Sequence, residues 1–214
     1  MTKPLHRVAV IVGSVREARF GPIVARWISE QAARRGDMEI DMVDLAEMDL
    51  PLSMTRNEPP AVTRLGNRLR AADAFVVVTP EYNHGYPAAL KVAIDWYQEE
   101  WHAKPIGFVS YGGASGGLRA VEQLRQIFAE VHAMTVRDSV SFASAWEHFD
   151  TQGLLNEPAR HERSACVMLE RLKWWSETLR NARQKRPYPQ KIQQILLGRR
   201  QSTSGSGLFS KPLP

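Results

Sequence analysis

Five short apolar runs, each followed by a loop and then a stretch of helical periodicity, set the strongest limit on what this chain can fold into. The runs are Arg7 to Val12, Met38 to Val43, Ala74 to Thr79, Pro105 to Ser110, and a weaker one from Met134 to Val136. Helical stripes follow at Pro22 to Ala33, Ala61 to Ala72, Pro87 to about Glu99, Gly117 to about Val131, and Glu157 to Arg183. In the first of these, apolar residues fall at Ile23, Val24, Trp27 and Ile28, the spacing of one helix face. In the last, the expected apolar face is Val167, Leu169, Leu172, Trp175 and Leu179. The run from Ala74 has no polar alternation, so it must be buried on both faces, as in the middle of a parallel sheet. Strict strand and helix alternation predicts an α/β doubly wound sheet with helices on both faces.

Composition narrows the class. A chain of 214 residues, 43% hydrophobic, suits one packed domain, expected over 1–186, with a basic, largely flexible extension at 187–214. Residues 160–214 hold 12 of the 28 Lys+Arg but only 3 of the 23 Asp+Glu, so the net charge of +5 lies in the tail and the body is mildly acidic. A basic tail without interleaved aromatics is no nucleic-acid footprint, and no nucleic-acid partner is expected. Val8 to Val12 is far too short to cross a bilayer, so no membrane insertion is expected. The single Cys166 cannot close an intrachain disulfide, and no Cys/His spacing suggests a metal, which points to a reducing, cytoplasmic setting.

Ligands of doubly wound sheets sit at the carboxyl ends of strands where the strand order reverses. Three loops there carry chemistry. The loop Gly13 to Gly21 offers Ser14, Arg16, Arg19 and glycines before a helix, the inventory for one terminal phosphate. It is neither a dinucleotide fingerprint nor a P-loop; the plain alternative is a polar loop with its arginines in solvent. The loop Thr79 to Pro87 is stiffened by Pro80 and Pro87 and offers Tyr82, Asn83 and His84 to the edge of a flat heteroaromatic ring. His84 reads either as a general acid or as a surface hydrogen-bonder. The loop Ser110 to Gly117 packs four glycines into six residues, which allows close backbone approach to a ligand, or simply a turn. In the flavodoxin-like strand order 2-1-3-4-5, strands 1 and 3 flank the switch point, so the first two loops would lie side by side.

Gly13-Ser14-x-Arg16, then Pro80-Glu81-Tyr82-Asn83 continuing through Pro87, Leu90, Lys91 and Ala93-Ile94-Asp95-Trp96, then Ser110-Tyr111-Gly112-Gly113, resemble the NADPH-dependent FMN reductase family, which includes quinone, azo-dye and chromate reductases. The resemblance spans about residues 7 to 180. It implies a flavodoxin-like three-layer sandwich, with a five-stranded parallel sheet in the order 2-1-3-4-5. It further implies that Ser14, Arg16, Arg19, Phe20 and Gly21 hold the phosphate end of FMN. Pro80, Glu81, Tyr82, Asn83 and His84 would line the isoalloxazine edge, and Ser110, Tyr111, Gly112 and Gly113 the pyrimidine side. The chain departs from the usual pattern with Arg19 and Gly21 in the first loop and Val92 after the lysine.

The implied function is an FMN-dependent oxidoreductase that takes hydride from NADPH or NADH and passes it to a second small acceptor: a quinone, free flavin, azo compound or metal oxyanion. No side-chain acid or base and no metal is required. A homodimer or homotetramer is implied as well, in which Tyr82, Tyr86, Trp96 and Trp101 either complete a neighbour's pocket or serve as ordinary core or surface aromatics. The alternative is a flavin-binding electron carrier, for which the body lacks a strongly acidic docking face.

Overall fold

The computed structural model describes residues 5–55 and 57–189. Its strands are β1 (His6–Val12), β2 (Met38–Asp44), β3 (Ala74–Pro80), β4 (Pro105–Gly112) and β5 (Met134–Ala143). Its helices are α1 (Gly21–Ala33), α2 (Pro60–Ala71), α3 (Ala88–Asp95), α4 (Leu118–Glu130), a short α5 (Ala145–His148) and α6 (Pro158–Lys185). All neighbouring strands pair in parallel and the order is β2-β1-β3-β4-β5, the flavodoxin-like arrangement.

Strand alternation decides which side chains meet which helices. Val8, Val10, Val12, Val76 and Val78 face α1 and α6, where Val24, Trp27, Ile28, Met168, Leu169 and Leu172 cover them. Ala9, Ile11, Phe75, Val77 and Phe108 face the opposite layer, built from Leu65, Leu69, Leu90, Ile94, Leu124 and Phe128 of α2, α3 and α4. Each large side chain buried in this way contributes about 1.5–3 kcal/mol. At the amino ends of the strands, Asp73 accepts from the Arg7 amide at 3.1 Å and from Arg180 at 3.1 Å, fastening α6 under the sheet. Among the described residues no helix is long and apolar enough to cross a membrane.

Four details differ from the sequence reading. β5 runs on to Ala143, well beyond Val136, with a register shift opposite Ile106 and Phe108. As an edge strand it carries Arg137, Asp138, Ser139 and Ser141, which hide its strand character in an apolar scan. The third helix stops at Asp95, and Trp96 to Trp101 turn back so that Trp101, only 1% exposed, packs on Phe75 and Phe128. Trp101 is therefore a core residue and cannot line a neighbour's pocket. On α6 the buried stripe is Ala165, Met168, Leu169, Leu172 and Ser176, while Val167 lies outside it. The expected mobile extension falls mainly on 190–214, outside the described residues; within it, Tyr188 meets His132 Nδ1 at 2.9 Å.

Candidate functional site

The carboxyl ends of β1, β3 and β4 bring the three loops together. β1 keeps its partner for one residue past its end, with the Gly13 amide donating to the Val78 carbonyl at 2.9 Å. The chain then leaves the sheet and re-enters regular structure at Gly21, with Pro22 in the first turn of α1 and no acidic residue there. Glu17 and Ala18 form a turn, with Ala18 at φ 48°, that brings the Arg19 amide back toward the Arg16 carbonyl; among the described residues, the amides from Ser14 to Ala18 donate to no other group of the chain. Unpaired amides ahead of a helix N-terminus form a concave set of donors suited to an anion.

The side chains of this loop divide the work. Ser14 is wholly buried, and the Tyr111 hydroxyl donates to its Oγ at 3.1 Å. Arg19 reaches back to the end of β2, gripping Asp44 with both arms at 2.5 and 2.7 Å, and donates to the Ser14 carbonyl at 2.8 Å. Its charge is thus matched within the loop's own brace. Phe20 turns inward, 5.4 Å from Phe149 and 6.0 Å from Tyr111 between ring centres. Arg16 is the exposed cation of the loop, its guanidinium 3.6 Å over the Tyr82 ring.

In the second loop, Tyr82 and Gly85 exchange backbone hydrogen bonds at 2.8 and 3.0 Å around Asn83 (φ 50°) and His84 (φ 67°). Two successive left-handed residues make a type I′ turn, which presents both side chains outward. His84 is exposed and its carbonyl accepts from Gln123 of α4 at 2.9 Å. Glu81 points the other way. Its carboxylate takes the Arg119 amide at 3.2 Å and the Arg119 guanidinium at 2.6 Å, capping the first turn of α4. Burial pushes this carboxyl up, but the contacts from Arg119 and Ser115 outweigh it and hold the group below its ordinary range.

The third loop uses its glycines unequally. A Cβ on Gly117 (φ 83°) would come within 2.7 Å of Ser110 Cβ and 2.9 Å of the Tyr111 amide. One on Gly116 (φ 58°) would strike Ser141 Oγ and the Ala143 amide. Those two glycines are required by the chain's own packing. A Cβ on Gly113 would meet no atom within 4 Å, so this glycine faces open space. Ser110 is buried and donates to the Gly116 carbonyl at 2.7 Å, closing the loop from beneath.

The loops therefore supply a free amide cradle, an exposed arginine, a stiff turn presenting Asn83 and His84, and an open glycine edge. This donor set fits FMN: a doubly negative phosphate at one end and a flat ring rich in polar edges at the other. Sequence reasoning missed Asp44 and Arg119, the partners that fix Arg19 and Glu81. Their only signal is a carboxylate at a strand end and a cation in a helix's first turn, too common to single out.

The sequence model of the NADPH-dependent FMN reductases matches residues 6–147, which include all three loops. The chain belongs to this family. An NAD(P)H-dependent FMN reductase of Schizosaccharomyces pombe is 40% identical over 128 residues, 55% of this chain and 63% of that protein's length. A probable NADPH:quinone oxidoreductase of Oryza sativa subsp. japonica is 34% identical over 182 residues, 78% of this chain and 90% of its own. Among solved structures, the flavoenzyme NAD(P)H:(acceptor) oxidoreductase FerB of Paracoccus denitrificans superposes with a TM-score of 0.65 at 24% identity, over 83% of this chain and 98% of that one. FMN and a reduced nicotinamide dinucleotide are the cofactors for which the reductase family is named, and flavin-dependent oxidoreduction is its class of reaction.

Proposed function

We propose that this chain is an NAD(P)H-dependent flavin oxidoreductase that holds FMN across the loops after β1, β3 and β4 and passes electrons to a small second acceptor. The observation that carries the reading is the run of unpaired amides from Ser14 to Ala18, beside the turn of Asn83 and His84 and the open edge at Gly113. Bound there, FMN supplies a store for two electrons, filled by hydride from NADPH or NADH and emptied onto the acceptor.

The chain's own part is positioning and electrostatics. The amides and Arg16 bind the phosphate. Ser14, Arg19, Phe20 and Gly21 hold that loop in shape from below. Tyr82, Asn83 and His84, with Pro80 behind them, orient the ring's edge, and Glu81 fastens their loop to α4. The amide at Gly113, just past the end of β4, would face the side of the ring where negative charge grows on reduction, and a fixed dipole there needs no rearrangement. Among the described residues no group of three His, Cys, Asp or Glu is placed to hold a metal.

An apolar hollow of about 360 Å3 opens beside the first loop, lined by Val15, Leu45, Met48, Leu50, Ala89 and Val92. It supports an uncharged ring, a quinone above all, as the acceptor. Exposed Leu52, which also lines the hollow, and exposed Met54 support self-association as a dimer or tetramer. A reducing, cytoplasmic compartment belongs to the same reading, supported by the one free cysteine, Cys166.

The test is an anaerobic titration of the FMN-loaded protein with NADPH. Stoichiometric bleaching of the flavin, followed by recovery of colour on adding a quinone, is the expected result. Flavin that stays oxidised under NADPH would leave the carrier reading in its place.

A further inference from the structure

Ser14, in the loop after β1, and Tyr111, near the end of β4, lie 97 positions apart, yet their hydroxyls meet at 3.1 Å. Both residues are buried, at 0% and 6% exposure. The space around them is filled. A Cβ on Gly21 would stand 2.8 Å from the Tyr111 hydroxyl and 3.0 Å from Val12 Cγ1, and would press into Ser14 Oγ. Only glycine allows α1 to start this close to β4.

The direction of the bond follows from chemistry. A phenol is the stronger donor and the weaker acceptor of the two hydroxyls. Burial pushes the Tyr111 phenol far above its ordinary range, so it keeps its proton. Ser14 is its hydrogen-bond partner, and a buried donor left unpaired is costly, so Tyr111 donates and Ser14 accepts. The Ser14 carbonyl is meanwhile held by Arg19 at 2.8 Å. The residue that opens the cradle is therefore pinned at its side chain by β4 and at its backbone by the Arg19 and Asp44 pair of β2.

We propose that Tyr111 is a positioning residue for the flavin phosphate: through Ser14 it sets the bend of the first loop, so that the amides of residues 14–18 converge on one anion. The inference rests on the function proposed above and deepens it, by moving Tyr111 from the ring side of the site to the underside of the phosphate loop. It acts on the phosphate end alone. A tyrosine that merely filled the core would affect every flavin ligand alike.

The experiment compares FMN with riboflavin, which keeps the ring and the ribityl chain but lacks the phosphate. Flavin-free protein is titrated with each by fluorescence quenching, for the wild type, Tyr111→Phe, Ser14→Ala and the double variant, with circular dichroism to verify folding. Tyr111→Phe is expected to weaken FMN binding about tenfold, the scale of one buried hydrogen bond, and to leave riboflavin within about twofold. Ser14→Ala should match it, and the double variant should lose no more than either single one, because both remove the same bond. An unchanged FMN affinity in Tyr111→Phe, an equal loss for riboflavin, or additive losses in the double variant would each overturn the proposal while FMN binding itself stands. A wild-type protein that takes up no FMN would overturn the function and this proposal together.

Discussion

The Arg16 guanidinium lies 3.6 Å from the centre of the Tyr82 ring, tying the loop after β1 to the loop after β3 across the mouth of the site. Arg19, three residues on, is instead committed to Asp44. Two arginines in one loop thus have different surroundings: Arg16 is exposed over the Tyr82 ring, and Arg19 braces the backbone.

Arg16→Ala should raise the FMN dissociation constant about 10- to 100-fold, the loss of a charge-assisted contact, while the melting temperature moves little. Fluorescence titration and thermal melts check both halves. An unchanged FMN titration would remove Arg16 from the site.

Gly113 and Gly117 should respond in opposite ways to alanine. Gly117→Ala forces a side chain into Ser110 and the Tyr111 backbone at a positive φ, and should cost about 3 kcal/mol of stability. Gly113→Ala meets open space, so its stability should stay within about 0.5 kcal/mol while FMN affinity falls. Urea unfolding of the flavin-free variants, with parallel FMN titrations, separates the two.

Glu81 gives the site an acid limit. Its carboxyl is held below the ordinary 4.5, so the stability it contributes is complete above that value and is lost as pH falls through the lower folded value. Glu81→Gln should therefore be less stable than the wild type by about 1 kcal/mol near neutrality, and the gap should narrow as pH falls below 4.5 toward the lower folded value. A gap that persists unchanged in acid would contradict this.

Lys104, buried just before β4, donates to the Leu69 and Arg70 carbonyls at the end of α2, at 2.8 and 3.0 Å. Burial, with Arg183 adding to it, pushes the ammonium down to about 7 from 10.5. The unfolded chain binds this proton more tightly, so the cost of the buried charge is constant below about pH 7 and is relieved as pH rises toward 10.5. Urea unfolding at a series of alkaline pH values should show wild-type stability gaining relative to Lys104→Met across that window. A constant difference would show that Lys104 stays charged.

The parallel sheet was legible because its central strand is apolar on both faces: Ala74 to Val78 are all buried and their sequence shows no other pattern, whereas the strand order came from the family resemblance. The end of β5 was not, since an edge strand with Arg137, Asp138 and Ser141 satisfies solvent as readily as the sheet. In the site, residue types located the loops, but pairings hid their roles. Glu81 reads as part of a ring-edge motif until Arg119, 38 positions away, claims it. Two of the glycines that read as room for a ligand, Gly116 and Gly117, are room for the chain's own strands. Such facts are tertiary: they depend on which atoms the fold brings within about 3 Å, and no local spacing encodes that.

The most direct measurement is equilibrium uptake of FMN by the flavin-free protein, read from flavin fluorescence and mass under native conditions. One FMN per chain, displaced by no concentration of NADPH, is the expected result. A chain that takes up no FMN at concentrations that saturate its relatives would contradict the account at its root.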